Sequence, residues 1–218
     1  MVQSDPPQPP ALLPVASAPQ AAPHLEAPHL EAPPIPQWQR QLVVKADHFV
    51  YWLTRHWLLS INLFFLLFAA GAVLSPILRA TGHDRLGLLL FHLYGYTCHQ
   101  MPSRSFFILG RQIAVCQRDL PLYGSLGMGG IVYALTGRRF SIRSSRLYLW
   151  VFVAPLAIDG TTQLLGLRES NWQLRVITGV LLGVGTVFYA YPYMNKAMND
   201  TRDELAQRFG PNLERLRD

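Results

Sequence analysis

Two cysteines, a histidine and several arginines crowd into the segment Cys98–Asp119. Cys98-His99-Gln100 opens it, Arg104-Ser105 and Arg111 lie within, and Cys116-Gln117-Arg118-Asp119 closes it. Cys98, His99, Cys116 and Asp119 are acceptable ligands for zinc or iron, although adjacent Cys98 and His99 are awkward on one ion. If both thiols face an oxidising compartment, a Cys98–Cys116 disulfide closes a loop of about 19 residues and adds roughly 3 kcal/mol. A cysteine beside Arg104, Arg111 and Arg118 also has its thiolate favoured, as a reactive thiol requires. Inert packing is the plain alternative, and residue types alone leave all four open. Arg104-Ser105, with Arg111 and Arg118, suits capture of phosphate or carboxylate, lipid headgroups included. Plain anchoring at a membrane interface calls for the same residues.

The elements that position this segment are apolar. The 218-residue chain is 50% hydrophobic and 15% charged, against about a quarter charged in soluble domains. A membrane-crossing helix needs roughly 20 mostly apolar residues. Trp57–Leu78, Arg146–Leu167 and Leu174–Tyr193 qualify, and the shorter, glycine-rich Leu120–Gly137 makes a fourth. The net charge of +6 comes from Arg and Lys clustered at the ends of these runs. That pattern follows membrane topology and argues against nucleic acid as a partner.

Residues 1–37 are rich in Pro and Ala, repeat Ala-Pro-His-Leu-Glu in tandem, and read as an extended, disordered tail. Residues 38–56 alternate apolar and polar at helical spacing, an interfacial amphipathic helix leading into the first span. Leu86–Tyr96 is too short to cross and reads as a re-entrant or surface helix that delivers Cys98. Gly179-x-x-x-Gly183 marks a close-packing face in the last span. In the polar tail, residues 196–218, Thr201-x-x-Glu204 reads as a capping box and Gly210-Pro211 as a stop. The basic loop Arg138–Arg146 belongs in the cytoplasm, which places both termini there and the Cys98–Asp119 segment outside the inner (plasma) membrane.

Asp159 falls near the middle of the third predicted span, four residues after Pro155, with Thr162 and Gln163 on its face. A carboxylate in a bilayer needs a partner. Arg118 and Arg175 are available for a structural ion pair, and a ligand or proton site is the alternative. Pro155 removes a helical hydrogen bond and predicts a kink.

Taken together, Cys98-His99-Gln100-x-Pro102-x-Arg104-Ser105-Phe106, Gly110, Val115-Cys116-x-Arg118, Asp159-Gly160-x-x-Gln163, Arg168-x-Ser170-Asn171 and Arg175-x-x-Thr178-Gly179 resemble the bacterial membrane family catalogued as domain of unknown function 2085. The resemblance runs from about Leu86 to Val187. It implies a small integral membrane protein whose polar residues act together, and it brings no established activity. Members of that family often carry Cys-Ala-Arg-Cys where this chain has Cys116-Gln117-Arg118-Asp119. The departure removes a C-x-x-C pair, which weakens a dithiol mechanism more than a metal site.

The sequence therefore predicts an all-α, polytopic membrane protein of four spans plus the interfacial and re-entrant helices. Its polar pocket near the outer face would draw on Cys98, His99, Gln100, Arg104, Ser105, Cys116, Arg118, Asp119, Asp159, Gln163, Ser170 and Arg175. The pocket would bind a metal such as Zn or Fe, an anionic headgroup or a cofactor, with the chain as accessory subunit of a membrane complex. A thiol- or metal-dependent membrane enzyme is the rival.

Overall fold

The computed structural model describes residues 36–209; the Pro/Ala-rich tail and the Gly210-Pro211 stop lie outside them. The fold is predominantly helical. Helix α1 is Gln37–Ala80, α2 is Asp84–Tyr94, α3 is Asp119–Leu135, α4 is Ser145–Leu164 and α5 is Trp172–Phe209. Three of them, α1, α4 and α5, are long and apolar enough to cross a membrane. Four such spans were expected, and the 17-residue α3 is not among the three.

Helix α1 joins the expected interfacial segment, residues 38–56, to the first span without a break. Its 44 residues form one helix, about 66 Å long at 1.5 Å per residue. No proline or glycine interrupts Trp38–Leu67, so nothing bends the chain at His56-Trp57. Helix α5 likewise runs through the predicted capping box. Thr201 lies inside it and donates its hydroxyl to the Ala197 carbonyl (2.9 Å).

Two clusters hold the core. Trp57 and Leu58 of α1, Leu126 and Tyr133 of α3, and Val187 and Tyr191 of α5 pack into the first. The close approach of α3 to α5 depends on glycine. A Cβ on Gly179 would meet the Arg118 carbonyl oxygen at 2.5 Å, and one on Gly183 would collide with the Ser125 hydroxyl. The small-residue face therefore places the start of α3 against α5, which brings Arg118 to the level of Arg175.

The second cluster contains the correction to an all-α fold. β1 (Ser105–Ile108) and β2 (Arg111–Cys116) form an antiparallel hairpin. Leu109 and Gly110 make its turn with φ of 52° and 71°, the doubly positive pattern of a tight hairpin turn. Ile113, Ala114 and Val115 of β2 are fully buried against Ala72 of α1 and Tyr94 of α2. Helix α2 folds back along α1, where Ser75 donates to the Gly87 carbonyl (2.9 Å) and Tyr94 to that of Phe68 (2.5 Å).

Helix α4 packs on the flank of α5, with the Tyr148 and Tyr189 rings stacked at 4.3 Å. Tyr148–Val153 is a π-helical stretch ending just before Pro155. The wider turn accommodates the missing N–H of the proline. Because the helix ends at Leu164, Asp159 sits five residues from its end and not at mid-span.

Candidate functional site

The hairpin, the turn after α2, the start of α3 and the ends of α4 and α5 converge on a cavity of about 440 Å³. Gln100 builds one wall. Its side-chain amide donates to the Phe91 carbonyl at the end of α2 (2.5 Å) and to the Ala114 carbonyl in β2 (2.9 Å). Its own carbonyl accepts from Gln112 Nε2 (2.7 Å). These bonds hold Gln100 at a φ of 51°, a cost that a non-glycine residue meets only when its surroundings fix it. Cys98 and His99 are thereby presented to the cavity.

Asp159 is buried behind the cavity, 1% exposed, and both of its oxygens are engaged. Arg118 pairs with Oδ2, Arg168 donates to Oδ1 at 2.6 Å, and Ser170 donates to Oδ2 at 2.9 Å. The structural ion pair is the observed arrangement, with Arg118 as partner. Arg175 is not a partner. Arg168 is, and it lay outside the predicted pocket because it belongs to a turn with no periodic relation to Asp159. The one available signal was the polar cluster Arg168-x-Ser170 directly after the span.

Arg175, 7% exposed, lines the cavity from α5. Its Nη1 donates to the neutral Gln117 side chain (2.9 Å), and Gln117 in turn donates to the Ser105 carbonyl (3.2 Å). Among the described residues, the salt bridges are the two on Asp159, so no carboxylate lies within 4 Å of the Arg175 guanidinium. The Nε atoms of Arg118 and Arg175 are both buried without a hydrogen-bond partner. Arg104 lines the same cavity. Four guanidinium groups here face two carboxylates, Asp119 and Asp159.

The same cavity is lined by the two sulfurs. Both cysteines are free, so of the four readings of the pair the disulfide is not the one formed. The Cys116 backbone N–H donates to Cys98 Sγ (3.2 Å), and that of Asp119 donates to Cys116 Sγ (3.4 Å). The Cys116 thiol bonded to Cys98 lowers the pKa of Cys98 against the effect of burial, while the same contact, then burial, pushes Cys116 well above an ordinary thiol. One ligand atom each from Cys98, Cys116 and Asp119 lie mutually within 4.8 Å. His99 lines the cavity but is not in that group.

Of the predicted pocket, Cys98, His99, Gln100, Arg104, Cys116, Arg118, Asp119, Gln163 and Arg175 line the cavity. Ser105, Asp159 and Ser170 do not. The Ser105 hydroxyl donates to the Met101 carbonyl (3.0 Å) and accepts from Gln112 Nε2 (3.0 Å), so it serves the hairpin.

The family described as "Predicted membrane protein (DUF2085)" matches residues 98–189, which contain every predicted pocket residue. An uncharacterized protein of Methanocaldococcus jannaschii is 39% identical over 134 residues, covering 59% of this chain and 86% of the relative. An uncharacterized protein of Methanothermobacter thermautotrophicus is 36% identical over 95 residues, covering 42% of this chain and 82% of the relative. Both relatives are archaeal, so the bacterial attribution of the resemblance is not supported. No solved structure matches the chain.

Proposed function

The chain belongs to the DUF2085 family of predicted membrane proteins, and on that premise we propose that its cavity binds an anionic group, phosphate or carboxylate, at the membrane surface. The observation that carries this reading is Arg175: a buried cation with no carboxylate within reach and an unpartnered Nε, facing a cavity it shares with Arg104. A buried charge needs an opposite charge or it is expelled. With Asp159 spent on Arg118 and Arg168, the cavity carries an excess of positive charge that a bound anion offsets. Guanidinium groups supply paired donors suited to phosphate and carboxylate oxygens.

In this reading α3 is the fourth crossing, because 17 residues are at the lower limit for a span. Four crossings put the loop Arg138–Arg146 and both termini in the cytoplasm and the cavity at the outer face. An impermeant thiol reagent should label Thr81→Cys from outside and Ser141→Cys only after permeabilisation, and the reverse pattern would refute the orientation. The uncovered flank of α4, where Trp150 and Leu149 are exposed, leaves room for a larger complex in which this chain is an accessory subunit. Co-purification in mild detergent tests that role, and a chain recovered only by itself contradicts it.

Calorimetric titration of the purified full chain tests the ligand class. Inorganic phosphate or a short-chain phosphatidic acid should bind at one site, and Arg104→Gln with Arg175→Gln should abolish the signal. Binding of the lipid but not of phosphate assigns the site to a headgroup. Heat unaltered by the double substitution contradicts the proposal. The second reading, a thiol- or metal-dependent membrane enzyme, is favoured by one observation: both sulfurs line the cavity that would hold the anion.

A further inference from the structure

We propose that Cys98, Cys116 and Asp119 hold one thiolate-preferring divalent cation whose fourth coordination position opens into the arginine-lined cavity. The three residues come from the turn after α2, the last position of β2 and the first position of α3. Cys98 and Cys116 are 18 positions apart, so their meeting is a product of the fold and not of local sequence. Their ligand atoms lie mutually within 4.8 Å. Tetrahedral coordination at about 2.3 Å to sulfur and 2.0–2.2 Å to oxygen sets the ligand atoms about 3.5–3.8 Å apart. The difference is a contraction of about an ångström, within the reach of side-chain torsions.

A second observation points the same way. The Cys116 and Asp119 backbone N–H groups donate to the two sulfurs at 3.2 and 3.4 Å. Such donors favour thiolate over thiol and form the outer hydrogen-bond shell that metal-bound sulfurs take. Arg118 lies between Cys116 and Asp119 in sequence, yet its guanidinium is paired with Asp159, which offsets part of its charge.

The donor set selects the ion. Two sulfurs and one carboxylate favour zinc or ferrous iron and disfavour Mg²⁺ and Ca²⁺, which take oxygen. Binding follows M²⁺ + 2 RSH → M(SR)₂ + 2 H⁺. The site carries one negative charge before, on Asp119, and one after, so the burial of the ion adds no net charge. Two protons leave to solvent, and affinity rises with pH.

His99 stands outside the cluster. The three ligands share the cavity lining with Arg104 and Arg175, and in this proposal an anionic ligand oxygen held there completes the coordination. Only this last point rests on the proposed anion binding; the cation stands on the sulfur geometry alone.

Cobalt(II) titration of the reduced full chain in detergent tests the site. One equivalent should produce a near-ultraviolet sulfur-to-cobalt band and strong visible bands of tetrahedral cobalt. Cys98→Ser and Cys116→Ser should each abolish the sulfur band, and Asp119→Asn should keep it with at least tenfold weaker binding. Absence of the sulfur band in the native chain, or its survival in both serine variants, overturns the proposal without relying on how well any variant folds. Inorganic phosphate should then shift the visible bands in the native chain but not in Arg175→Gln. Cobalt bands that phosphate leaves unchanged remove the anion as fourth ligand while the metal site stands.

Discussion

Asp159 decides what holds the cavity end of the bundle. With Arg118, Arg168 and Ser170 on its two oxygens and no place in the cavity lining, it acts as a strut between α3, α4 and the turn before α5. Removing one partner of a buried ion pair leaves an uncompensated charge and costs about 3–5 kcal/mol. Asp159→Asn should therefore lower stability by about 3 kcal/mol in a denaturant titration. Arg168→Gln should cost much less, because Arg168 is 40% exposed and water screens it. Equal losses in the two variants would deny Asp159 this role. At this scale the sequence was legible wherever a residue type forces a partnership. A carboxylate in an apolar run demands a cation, and Arg118 was a nearby choice. Arg168 and Gln117 escaped notice because a turn arginine and a glutamine beside a cysteine carry no periodicity that links them to their partners.

The hairpin is the element that turns a loop into a site. Its inner residues Ile113–Val115 are buried under α1 and α2, and the Gln100 amide fastens it to the end of α2. Gln100→Ala would leave two buried carbonyls without their donor, at about 1–3 kcal/mol. Hydrogen exchange should accelerate at Ile113–Cys116 while α3 and α5 keep their protection; uniform loss, or none, would contradict a local fastening. The long apolar runs gave away α1, α4 and α5 because length and hydropathy are properties of the chain itself. The glycine spacing of α5 foretold close packing, since only a missing Cβ permits it. The strands were hidden: β1 has four residues, and the turn carries Leu109 at positive φ where Asn or Asp is the usual signal.

For the molecule as a whole, the helices and the hairpin fix a cavity lined together by guanidinium groups, two sulfurs and a carboxylate. Charges far apart in sequence, at Arg104, Arg118, Arg168 and Arg175, become neighbours only when the hairpin, α3 and α5 assemble. The fold thus carries a repulsion that the proposed anion would relieve. Anything that binds the folded state alone raises its stability in proportion to occupancy, so the unfolding temperature reports on the cavity directly. The most direct measurement is thermal unfolding of the native chain and of Arg175→Gln, each with and without inorganic phosphate. The account predicts that phosphate raises the native unfolding temperature, whereas the variant starts at or above the native value and does not respond. A variant that unfolds earlier and is stabilised by phosphate as much as the native chain would show that Arg175 is a structural cation and that the cavity does not bind anions through it.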